Sequence, residues 1–361
     1  MVPKCLLIGF FPLVFSGPTR QEYEESITGY GGDTLLLSVL KTLYDNKAKK
    51  GGREHVEYAS MLDMDKTIIK KNLPETVLLK QIELGDFRFG SDDVKKLFGF
   101  ETIRNTESRK NCFNQELMVQ FDSKVGAIQS VFLEREERIK LGRNTQNTFV
   151  PKEIQKLTTE IQHWSKMVQD FILYKNQEHC SYTLLTKEYR LLHGFNKEAR
   201  DELIKKAFEG HPEKFAYKQM LDLIHILKDV DVHTYIITAT HLDYLNAALA
   251  ALKLTGSIAG TYGTTPTNED GIFTGEGTCM SGKMKGEIVN DLISSHGFHT
   301  ILSAGDSDFD SHMLEESIKG GVAYALLIQP SSKLSKNLEV LNSKYPGQCA
   351  IQRVNAEEWL M

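Results

Sequence analysis

Two carboxylates stand two residues apart, Asp63 and Asp65, in the segment Asp63-Met64-Asp65-Lys66-Thr67, directly after an apolar run. Like charges that close are costly unless a cation or a proton sits between them. Three more polar clusters follow along the chain. Thr238 closes the run Ile236-Ile237-Thr238, ahead of Ala239-Thr240, and a hydroxyl there can donate to an anionic oxygen. Lys283 and Lys285, in Gly282-Lys283-Met284-Lys285-Gly286, lie at the start of a helical pattern. An ammonium there opposes the helix dipole and calls for an anionic partner. Last comes Gly305-Asp306-Ser307-Asp308-Phe309-Asp310, where the glycine suits a sharp turn and the acids suit a hard divalent cation. Taken singly, each has an ordinary alternative: a turn with Thr67 capping a helix, an N-cap at Thr238 or Thr240, a solvated lysine, an acidic surface turn.

These residues need elements to hold them. Residues 55–62 read as a strand that runs into Asp63, preceded by a helix over 34–48. After residue 231, strand and helix alternate. Strands are expected at 233–238, 299–304, 321–328 and 349–353, and helices at 243–253, 285–296, 309–317 and 331–343. A Gly/Thr-rich stretch fills 255–282. Such alternation predicts an α/β fold, a Rossmann-like parallel sheet, in which ligands bind beyond the carboxyl ends of the strands. Each polar cluster stands at such a strand end or at a helix start. Between residues 70 and 230 the pattern changes to long charged amphipathic stretches over 114–140, 152–175 and 213–228, with loops or short irregular elements expected at 85–110, 141–151 and 176–196. The expected organisation is therefore an α/β core from 1–69 and 231–361, split by a mainly helical insert at 70–230.

Composition agrees and adds exclusions. A chain of 361 residues is long enough for two domains at ~100–200 residues each. With 41% hydrophobic and 25% charged residues it is neither disordered nor collagen-like. A net charge of -5 supplies no global basic field for nucleic acid. The cysteines, Cys5, Cys112, Cys180, Cys279 and Cys349, form no CxxC pair. The apolar run from Cys5 to Phe15 is too short for a membrane span. It reads either as a buried N-terminal strand, giving a cytoplasmic protein, or as a short export signal ending near Ser16.

The order of the four clusters resembles the haloacid dehalogenase (HAD)-like superfamily of phosphohydrolases. The stretch from Ile236 to about Asn337 is similar to its phosphoserine-phosphatase-like subgroup, through Ile236-Ile237-Thr238-Ala239, Asp270-Gly271-Ile272-Phe273-Thr274-Gly275, Lys285 and the run Gly305-Asp306-Ser307-Asp308-Phe309-Asp310. The resemblance covers the whole α/β part. It implies that Asp63 is a nucleophile forming an aspartyl-phosphate and that Asp65 is a general acid and base. It further implies that Thr238 and Lys285 hold phosphoryl oxygens. Mg²⁺ would be held by Asp63, Asp65 through its backbone carbonyl, and Asp306, with Asp310 in support. Lys283 competes with Lys285, and Asp308 with Asp310. The implied activity is a phosphatase for a small phosphorylated alcohol or amino alcohol. Its alternatives are a phosphoprotein phosphatase that docks its substrate on the insert, or a non-catalytic binding protein. The insert would act as a cap over the site, with Arg190, His193, Trp164, Tyr182 and Tyr189 as candidate substrate readers and its aromatic residues as a candidate cage for a quaternary amine.

Overall fold

The computed structural model describes residues 33–48, 56–99, 115–142, 149–175, 191–210, 214–269, 272–278, 282–329 and 333–354, with Gln21 and Met280. Its centre is a seven-stranded sheet: β1 (Tyr58–Leu62), β2 (His233–His241), β3 (Gly260–Glu269), β4 (Ile272–Thr278), β5 (His299–Gly305), β6 (Gly321–Gln329) and β7 (Cys349–Arg353). The order across the sheet is β4-β3-β2-β1-β5-β6-β7. All neighbours pair in parallel except β3 and β4, which form an antiparallel hairpin at one edge. The hairpin lies inside the Gly/Thr-rich stretch and is an addition to the expected parallel sheet.

The period-two alternation of side chains gives the sheet two apolar faces. Leu62 and Ile236 face one layer; Met61 and Ile237 face the other. The first layer is covered by α1 (Asp33–Lys47), α6 (Lys197–Ala207), α7 (Lys218–Asp229) and α8 (Leu242–Ala251). The second is covered by α9 (Lys283–His296), α10 (Ser311–Lys319) and α11 (Lys336–Lys344). The result is a three-layer α/β core of Rossmann type, as the alternation predicts.

The chain leaves this core at Ile69 and returns at Ala216, where the two residues form an antiparallel bridge. Lys70 N–H donates to Phe215 O at 2.8 Å and Tyr217 N–H to Ile68 O at 2.9 Å. The insert then begins with α2 (Leu73–Leu84), which joins two cores: Leu73 and Val77 pack with the sheet layer, Leu78 and Ile82 with a separate cluster. That cluster is built by α3 (Ser91–Phe98), α4 (Gln115–Lys140) and α5 (Pro151–Lys175). So within the 70–230 block, α6 and α7 share the sheet's core, and only the middle has a core of its own. α3 falls where a loop is expected at 85–110; it is a single eight-residue helix, too short for periodicity to declare it.

Among the described residues, aromatic side chains of the insert are taken up by this packing. Phe87, Phe89, Phe132 and Phe149 meet edge to face or stacked. The Arg135 guanidinium lies 4.5 Å from the Phe149 ring centroid and 5.2 Å from that of Phe132. The cation that these described aromatics receive is thus the protein's own. Trp164 is fully buried, and its indole N–H donates to Phe98 O at 3.1 Å. It is a core residue, which removes it as a substrate reader. His193 is half-buried; Arg190, Tyr182 and Tyr189 lie outside the described residues, as do residues 1–16 and Cys5, Cys112, Cys180 and Cys279. Cys349 is a free thiol. Among the described residues no helix is long and apolar enough to cross a membrane.

Candidate active site

β1 lies between β2 and β5, and the chain order reverses across it. The carboxyl ends of these three strands therefore frame a crevice of the kind that binds ligands in open α/β sheets. Asp63 follows β1 immediately, and its backbone N–H donates to Ala304 O of β5 at 2.9 Å. The chain then turns tightly, with Ile68 N–H donating back to Met64 O at 3.0 Å. Lys66 takes a left-handed backbone with φ 56°, a strain of about 1–3 kcal/mol for a non-glycine residue, of the sort that collects at functional sites.

Lys285 reaches this point from the first turn of α9. Its ammonium is 2.6 Å from Asp63 Oδ1 and 2.6 Å from Asp310 Oδ1, and its side chain is 2% exposed. Lys283 instead lies at the surface beside Glu287, 3.7 Å away. Two residues along a helix are about 200° around its axis, so only one of the pair can face inward.

Asp310 is held at both oxygens. Oδ1 takes Lys285, and Oδ2 accepts the Asp306 N–H (3.1 Å), the Ser307 N–H (3.0 Å) and the Ser307 hydroxyl (2.8 Å). This fold-back needs Gly305, because a Cβ there would sit 2.5 Å from Asp310 Cβ. Asp308 points elsewhere, accepting the Asn337 N–H at 2.7 Å near the start of α11.

Carboxylate oxygens of Asp63, Asp306 and Asp310 lie within 4.8 Å of one another. Burial, then the charge of Asp310, pushes the Asp63 carboxyl up to about 7. Burial with Asp310 and Asp63 pushes Asp306 up well beyond the usual carboxylate range. Burial pulls the Lys285 ammonium down, but Asp310 and Asp63 outweigh it and hold its pKa above the ordinary lysine value. Three carboxylates thus face one ammonium in a low-dielectric setting. The donor set is all oxygen and short of positive charge, so the residues present fit a hard dication such as Mg²⁺. Asp310 already takes four protein donors, three of them on Oδ2, so Asp63 and Asp306 are the side chains more open to such an ion.

The Asp65 carboxylate is turned to other partners. Oδ1 accepts the Leu73 N–H at 2.8 Å, and Oδ2 accepts a short bond from the Thr240 hydroxyl. Thr238 is buried, and its Oγ1 accepts the Thr240 N–H at 3.2 Å. That leaves its O–H proton for another acceptor. Neither threonine is the N-cap of α8. That place belongs to His241, whose ring accepts the Asp243 N–H.

The sequence reading missed Thr240 and Leu73 as partners of Asp65, and Ser307 as the support of Asp310. It also missed Tyr217, a buried residue where the insert returns to the core, whose hydroxyl is pushed up to about 12 by burial and by the charge of Asp306. Only Thr240 carried a signal, as a second hydroxyl beyond an apolar run.

Comparison with known proteins bears on the fold. No family model and no curated protein matches the sequence. A protein of unknown function from Anaerococcus prevotii has a similar structure, with 16% identity, a TM-score of 0.65, and coverage of 92% of this chain and 95% of that one. Weaker likenesses include a phospho-aspartyl intermediate analogue of phosphoserine phosphatase (13% identity, TM-score 0.41, 84% of this chain and 95% of that one). Another is cytosolic 5'-nucleotidase IIIB bound to cytidine (12% identity, TM-score 0.41, 92% of each chain). The likeness to the Anaerococcus prevotii protein bears on the fold alone, a Rossmann-like parallel sheet with an insert after its first strand.

Proposed function

We propose that the protein is a Mg²⁺-dependent phosphatase that hydrolyses a small phosphomonoester through an aspartyl-phosphate. The observation that carries this reading is the buried Asp63–Lys285–Asp310 bridge at the strand ends, beside Asp306. A carboxylate held there by an ammonium is a poor packing choice and a suitable nucleophile. Asp63 attacks phosphorus, and the bond to the leaving oxygen breaks while Asp65 gives that oxygen a proton. Water then attacks the aspartyl-phosphate, Asp65 takes its proton, and the acyl-phosphate bond breaks to return Asp63 and phosphate. The Thr238 hydroxyl and the Lys285 ammonium face the charge spread over the phosphoryl oxygens. Asp310 aims Lys285 by holding its ammonium. Asp63 and Asp306, with the Asp65 backbone carbonyl, are the groups that would hold Mg²⁺, which supplies charge neutralisation at the transferring phosphoryl group.

The test is phosphate release by purified protein from an aryl phosphate and from a panel of phosphorylated alcohols and amino alcohols, with Mg²⁺ and with EDTA. Turnover is expected with the metal, with loss in EDTA and in Asp63→Asn. Turnover by Asp63→Asn equal to that of the unaltered protein refutes the nucleophile assignment.

A further inference from the structure

Thr240 touches both halves of the proposed machinery. Its backbone N–H holds Thr238 Oγ1, and its side-chain hydroxyl holds Asp65 Oδ2 across 175 positions of chain. It is itself fixed: its side chain is buried, and β3 passes so close that a Cβ on Gly263 would stand 2.7 Å from Thr240 O. The second oxygen of Asp65 is held by the Leu73 N–H, the first residue of α2. Each carboxylate oxygen has two lone pairs, so with one donor on each, both keep a lone pair for the proton in transit. The carboxylate plane is thereby set by one donor from the sheet and one from the insert.

We propose that Thr240 is the positioning residue of this site: its hydroxyl fixes the Asp65 carboxyl in register with the Thr238 hydroxyl, so that proton transfer to the leaving oxygen occurs where the phosphoryl group is held. The proposal rests on the function proposed above and adds to it a residue outside the four sequence clusters' assigned roles. Thr240 does not exchange a proton with substrate; it acts through Asp65. In the first step its loss therefore matters in proportion to how much the leaving group needs an acid, while the hydrolysis step is common to all esters. An alkoxide leaves poorly without a proton, whereas a nitrophenolate leaves as the anion.

The experiment compares Thr240→Val and Thr240→Ser with the unaltered protein on 4-nitrophenyl phosphate and on a simple alkyl phosphate, with Mg²⁺ present. Valine keeps the shape and the backbone N–H that holds Thr238, and removes only the hydroxyl. General acid catalysis contributes about 10²–10⁴-fold. Losing its alignment is therefore expected to lower kcat/KM, which reports the step that releases the leaving group, about 10–100-fold more on the alkyl ester than on the aryl ester. Thr240→Ser restores the alkyl-ester rate. Equal losses on both esters, or no rescue by serine, overturn the positioning role while leaving the phosphatase reading intact. An unaltered protein inactive on both esters overturns the phosphatase reading and the positioning role with it.

Discussion

Replacing Lys285 by Met removes the only ammonium found within 4 Å of Asp63 and Asp310 among the described residues. At an effective dielectric of about 20, charges at this 2.6 Å separation attract by roughly 6 kcal/mol per contact before desolvation is subtracted. Breaking a buried pair by deleting one partner has a net cost of about 3–5 kcal/mol. Here the cost depends on pH, because the carboxylates left behind can take up a proton. An acid whose folded pKa is raised stabilises the fold below its unfolded value, and that contribution is lost as pH rises through the folded pKa. In the unaltered protein this window for Asp63 runs from 3.8 to about 7; without the ammonium it extends higher. Lys285→Met is therefore expected to lose about 1–2 kcal/mol at about pH 6 and about 3–5 kcal/mol at about pH 8.5. Urea unfolding in EDTA measures both values. Mg²⁺ should restore part of the loss, since a dication supplies the missing charge. Lys283→Ala, at the exposed position two residues away, should stay within about 0.5 kcal/mol. An equal loss for Lys285→Met at both pH values would refute the proton-relief argument. No loss at all would refute the burial of a net charge at this site.

Two further expectations concern the frame. Trp164→Ala opens a cavity in the insert's own core and should cost about 3–5 kcal/mol in stability, read by unfolding of the whole chain; a change of substrate preference at unchanged stability would put Trp164 back among the substrate readers. His241 is buried next to Arg200 and Asp243, and burial followed by the Arg200 charge holds its ring down to about 3 from 6.5. The unfolded chain binds the proton that the folded ring refuses, so stability falls as pH drops from 6.5 toward 3. His241→Asn should flatten that fall by about 2 kcal/mol between about pH 6.5 and 4.5, and identical slopes for the two proteins would contradict a neutral buried ring.

Much of the frame was legible along the chain. The strand at 299–305 stands within a residue of its expected bounds, because a buried parallel strand is a short apolar run set off by helices, and the edge strand at 349–353 matches its expected bounds as well. The hairpin of β3 and β4 was not legible. Its sequence is mostly Gly, Thr and charge, and it is ordered by pairing to β2 rather than by an apolar face of its own. The same close approach explains Gly263, which looks like a loop residue and is a contact requirement. Trp164 was equally unreadable, because an amphipathic stripe fixes which face is buried and not what covers it.

The sequence by itself determined the residue types at the strand ends and their order, because each is a few positions from an element with a clear period. The resemblance favoured Lys285 over Lys283, and the tertiary structure places two carboxylates around Lys285 and leaves Lys283 exposed beside Glu287. Only the fold could bring Thr240 to Asp65, or join Leu73 of the insert to the same carboxylate. Those contacts depend on which strands lie side by side and where the insert re-enters at Ala216, and both are set by long-range packing that no local spacing records.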